Sequence, residues 1–192
     1  MIIELGTFEL LQKLADRLIE LVKNREEKTK NLFDRVIEPI YRDLLSVHQN
    51  YMEVFEETLN LLPAFKEGQT SKREKGLQSA LRYLESNRLK LEPVRQKLRV
   101  VVRHLDSSNK KRGKRDQFIA AAMDYMFWFK SKVGVGSVSM DIVSRIQMAK
   151  RSKDPLNADD VRRYVSAVMI AQRERFVHLT EAYGKILAKI SK

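Results

Sequence analysis

Residues 168–190 read VMIAQRERFVHLTEAYGKILAKI, and within them Met169, Gln172, Phe176, Leu179, Tyr183, Ile186 and Ile190 recur in steps of three and four. That spacing keeps all seven side chains on one stripe of an α-helix. Such a stripe must lie lengthwise against other helices to leave water. The start of this helix is marked as well. Asn157 is placed to cap it, Asp159 and Asp160 complement the positive end of its dipole, and Leu156 and Val161 have the spacing of a hydrophobic staple. The pattern predicts a helix from Ala158 to about Ile190, roughly 50 Å long at 1.5 Å per residue.

The same beat recurs upstream. Leu11, Leu14, Leu18 and Leu21 share a stripe, Lys23 to Asn31 is wholly polar, and a stripe resumes in shifted phase with Phe33, Ile37, Ile40, Leu44, Val47, Tyr51 and Val54. One straight helix over 5–62 would reach roughly 85 Å, beyond what later segments could cover. The sequence therefore predicts a bend or break between Lys23 and Asn31, or a kink at Pro39, whose ring clashes with the carbonyl four residues back. Ser71 and Glu74 form a capping pattern that opens a second long helix through Leu77, Leu81, Leu84, Leu91, Val94, Leu98, Val101 and Leu105, with Pro93 inside it. Shorter helices are expected over 114–132 and 139–150, separated by the Val133-Gly134-Val135-Gly136-Ser137 turn.

The fold expected is all-α: an elongated antiparallel helical bundle of about four to five helices, with long first, second and last members. Residues 1–192 are read as one domain, with 1–30 as a helix that extends from the bundle or is swapped into a second copy. Composition agrees. The chain is 43% hydrophobic and 32% charged, and seven Gly and four Pro supply too few turns for a sheet protein. It contains no Cys, which excludes disulfides, thiolate metal sites and Cys nucleophiles. Met1 to Gly6 lacks the basic start of a secretory signal and meets Glu4 at once, and no apolar run approaches a membrane span. A cytoplasmic protein is the expectation.

The net charge is +12 and unevenly placed: residues 1–62 carry 8 basic and 12 acidic groups, whereas 63–113 carry 14 basic and 5 acidic. An acidic first helix beside a basic second one would neutralise part of this. The excess attracts polyanions. Its densest point is the run Lys110-Lys111-Arg112-Gly113-Lys114-Arg115, with Arg103 just before it. These six cations are the candidate contacts to nucleic acid or to anionic lipid, although no aromatic residues are interleaved to stack on bases.

Each of the three histidines follows an arginine: Arg42 and His48, Arg99 and His104, Arg173 and His178. The spacing resembles the Arg-x4-6-His motif of HEPN-domain ribonucleases, which are also helical bundles. The resemblance implies that an arginine and a histidine, paired in a dimer, act on an RNA phosphodiester. It departs from the family where Val100 follows Arg99, since the family favours a polar residue there, whereas Glu174 follows Arg173. Residues five apart also sit about 140° apart on a regular helix, so they share a face only where the helix ends or bends. His104 falls where the second helix runs out, which makes Arg99 and His104 the candidate catalytic pair.

Tyr125, Phe127, Trp128 and Phe129 lie in the densest aromatic stretch and are read first as a core helix and second as an oligomer or partner patch. Carboxylate pairs such as Glu26-Glu27 and Glu56-Glu57 have no Glu-x-x-His companion, so no metal site and no cofactor is expected. The leading functional expectation is a non-enzymatic helical protein-interaction or oligomerisation module with a basic surface. The alternatives are RNA binding or cleavage at Arg99 and His104 beside the 110–115 loop, and peripheral binding to anionic membranes.

Overall fold

The computed structural model describes residues 6–23, 29–61, 113–127 and 155–191, together with Arg82, Lys97, Val101, Arg103, Ser144, Arg145 and Met148. All of them except Gly113 and Ser191 are helical, and the protein is all-α. Helix α1 spans Gly6–Lys23. A second helical stretch consists of α2 (Thr29–Leu32), a π-helical turn (Phe33–Ile37) and α3 (Glu38–Leu61). Helix α4 is Lys114–Phe127, and α5 is Pro155–Ile190. The second long helix expected over 71–105 and the short one over 139–150 lie outside the described residues, apart from the isolated positions named above.

The break in the first helical region is real, because the chain reverses between α1 and α3. Arg17 pairs with Asp43, and Glu20 pairs with Arg35 at 3.0 Å, so rising numbers on α1 meet falling numbers on the second helical stretch. The π-helical turn has a cause one step downstream. Pro39 has no N–H to give the Arg35 carbonyl, and its ring would strike that oxygen. The turn before it widens instead, and the Glu38 N–H reaches back five residues to the Phe33 carbonyl. The extra residue also keeps Phe33, Val36, Ile37 and Ile40 buried together across the change in phase.

The predicted stripes are the core. Leu14, Leu18, Leu21, Ile40, Leu44 and Leu179 are completely buried, and Ile37, Val47 and Ile186 nearly so. They join Val101 and, from α4, Phe118, Ile119, Ala122 and Tyr125 in one cluster. Each such aliphatic side chain stabilises by about 1.5–3 kcal/mol relative to an exposed one. The α1 stripe is thus covered within a single chain. Lys97 pairs with Asp16, one instance of the basic middle of the sequence lying against the acidic beginning.

Helix α5 runs antiparallel to α3: Phe33 stacks on Tyr183, Tyr41 meets Thr180, and Glu56 meets Arg173. It also runs antiparallel to α4, from Lys114 beside Lys185 to Asp124 beside Arg175. α5 begins earlier than the sequence suggested. Pro155 is its first residue, a position that needs no N–H donor and suits the fixed proline φ. Asn157 therefore lies in the first turn instead of capping it. Asp160 pairs with Arg163 of the same helix and with Arg145, whose guanidinium sits 4.4 Å from the Tyr164 ring centroid. Among the described residues no helix is long and apolar enough to cross a membrane.

Candidate functional site

The most elaborate arrangement of chemical groups is an aromatic seam where α3 and α5 meet. Tyr41 and His48 are seven residues apart on α3, and Phe176 and Tyr183 are seven apart on α5. Two antiparallel helices with aromatics at that interval interleave them. The order down the seam is Phe33, Tyr183, Tyr41, Phe176, His48. Centroid distances are 5.5 Å for Phe33–Tyr183, 4.1 Å for Tyr183–Tyr41, 6.1 Å for Tyr41–Phe176 and 4.1 Å for Phe176–His48. Tyr125 of α4 closes the deep end, edge-on to both Phe176 and His48. Such pairs add about 0.5–1.5 kcal/mol each beyond the area they bury.

Polar groups along the seam are matched. The Thr180 hydroxyl donates to the Phe176 carbonyl at 2.9 Å, so the Tyr41 phenol is the donor in its 3.2 Å bond to Thr180. His48 Nδ1 lies 3.2 Å from the Tyr125 hydroxyl. Burial, and after it the Arg173 guanidinium, hold the His48 pKa below its ordinary value, so the ring is neutral at pH 7. Burial pushes the Tyr125 phenol well above its usual range, and it stays protonated. Arg173 itself meets Glu56 at 3.1 Å on the seam's rim. Gln172 occupies an apolar stripe position for a local reason. Its amide donates to the Tyr125 carbonyl, one of the last four of α4, which have no partner inside that helix.

In this arrangement His48 joins helices: its ring stacks on Phe176 of α5 and its Nδ1 meets the buried Tyr125 hydroxyl of α4. The arginines at motif spacing do not join their histidines. Arg42 is exposed and bound to Glu38 on its own helix, while His48 faces α4 and α5. His178 is exposed, 3.7 Å from Glu181, and Arg173 turns to Glu56. The candidate pair Arg99 and His104 lies outside the described residues.

Of the basic candidates, Arg103 is helical and exposed, while Lys110, Lys111 and Arg112 lie outside the described residues. Lys114 and Arg115 are not loop residues. They form the first turn of α4, which opens when the Gln117 N–H binds the Gly113 carbonyl. Lys114 donates to the Lys185 carbonyl at 3.0 Å, which brings the basic start of α4 to the basic end of α5. Among the described residues no group of three or more His, Asp or Glu could hold a metal.

Tyr125 is only 1% exposed and stands in the core, the first of the two readings of its segment. Phe127 ends α4 with its side chain outside the described set, as are Trp128 and Phe129 altogether. The exposed apolar groups are elsewhere. Ile170, Val177 and Leu187 of α5 are 57%, 54% and 41% exposed, and Gly184 between them has open space where a side chain would stand. The sequence could have shown this: Ile170, Val177 and Gly184 recur every seven residues on the side opposite Leu179. No family model, no curated protein and no solved structure matches the chain.

Proposed function

We propose that this chain is a self-associating helical interaction module, without catalytic chemistry, that works through the outer face of α5. The observation that carries this reading is the two-sidedness of that helix. Its inner stripe is buried against α3 and α4, while its outer side presents Ile170 and Val177 to water along a rod of roughly 54 Å. Large aliphatic side chains at seven-residue intervals are what a second helix covers in coiled-coil packing. The test is the pair Ile170→Asp and Val177→Asp. Circular dichroism should be unchanged because neither side chain is in the core. Association measured by light scattering should be lost.

A second reading has an observation of its own, the meeting of Lys114 with the end of α5 near Lys185 and Lys189. Lys114, Lys185 and Lys189 gather positive charge suited to phosphate backbones, and Lys110, Lys111 and Arg112 lie just before Lys114 in the sequence. Substituting Lys110, Lys111 and Arg112 by Ala should weaken RNA binding and flatten its salt dependence. Binding of anionic vesicles in place of RNA would direct this reading to membranes. Cleavage of RNA that disappears in His104→Ala would identify the enzyme alternative.

A further inference from the structure

We infer that Tyr41 and Tyr183 form an oxidative cross-linking site, at which peroxide-driven coupling joins α3 to α5 through a dityrosine. The two rings are stacked with centroids 4.1 Å apart and planes 8° from parallel. Both are half-buried, open to an oxidant on one side and held by the helices on the other. Among the described residues no other two tyrosines stack. Tyr51 lies against Phe55, Tyr125 is buried between Phe176 and His48, and Tyr164 lies beneath Arg145. With no Cys in the chain, no thiol competes for the oxidising equivalents. The site depends on the seam alone and is independent of the association reading.

The chemistry balances with one molecule of hydrogen peroxide, activated by a haem peroxidase. Each phenol loses one electron and one proton, giving two phenoxyl radicals, and the peroxide is reduced to two waters. A carbon ortho to each hydroxyl then forms the new C–C bond. The ring hydrogens on those carbons move to the oxygens and restore two phenols. The two protons pass to water on the open side of the half-buried pair. Burial first, then Glu38 and Tyr41, raise the Tyr183 pKa, and the phenol is protonated at neutral pH.

The experiment treats the full chain with peroxidase and hydrogen peroxide over a range of protein concentrations. The expected product has the mass of one chain less two hydrogens, shows blue dityrosine fluorescence, and yields a digested peptide joining Tyr41 to Tyr183. Its fractional yield should not depend on protein concentration. Tyr41→Phe and Tyr183→Phe should each abolish it while keeping the stacked ring. The cross-linked chain should unfold at higher urea, because the link constrains the unfolded chain. Fluorescence undiminished in either variant, coupling only between chains, or no coupling would each overturn the assignment.

Discussion

His48 is in contact with three helices at once. Its own helix carries it, Phe176 of α5 covers its face, and the Tyr125 hydroxyl of α4 meets its Nδ1. The fold favours the neutral ring, chiefly by burial and secondarily through Arg173. The unfolded chain takes up a proton near pH 6.5, before the folded chain does. Stability associated with neutral His48 is therefore complete above that pH and declines as pH falls toward the depressed folded value. Urea midpoints measured between about pH 7.5 and about pH 5.5 should fall for the native chain and fall less for His48→Phe. An equal fall in both would show that another group carries the dependence. At this scale the sequence is least legible. Gln172 can be assigned to a stripe from its spacing, but its partner is a carbonyl of α4, fixed only when two helices dock. The exclusion of the Arg42–His48 pairing likewise depends on which way each side chain turns, and Glu38 decides that for Arg42.

Elements are more legible, because helical periodicity is a local property and burial enforces it. Leu14, Leu18, Leu21, Ile37, Ile40, Leu44 and Leu179 share helical spacing in the sequence, and all lie in the core. Pro39 is a source of distortion legible in the sequence, and the distortion takes the form of a π-helical turn just before it. Asn157 resembles a cap and points to a later start for α5, but Pro155 serves equally well at a first position. Gly184 is a local anomaly in α5, since glycine costs about 1 kcal/mol relative to alanine within a helix. A methyl group there meets nothing within 4 Å. Gly184→Ala should therefore stabilise the single chain by up to about 1 kcal/mol in urea unfolding. A loss of stability would mean that the outer face of α5 is already covered at that point.

For the whole molecule, the all-α class follows from the stripes and the scarcity of turn residues. The pairing of α3 and α4 with α5 does not, because it needs the aromatic interleaving and the cross-helix bonds of Gln172 and Lys114. Charge follows the same division. Lys97 pairs with Asp16, and Lys114 brings the basic start of α4 to the basic end of α5. Self-association through the outer face of α5 is read from the molar mass in solution. Light scattering on the native chain should give a multiple of its 22.4 kDa mass, and the variant carrying Ile170→Asp and Val177→Asp should give a single chain with unchanged helicity. A native chain that stays at 22.4 kDa at every concentration, or a variant that assembles as well as the native, would contradict it.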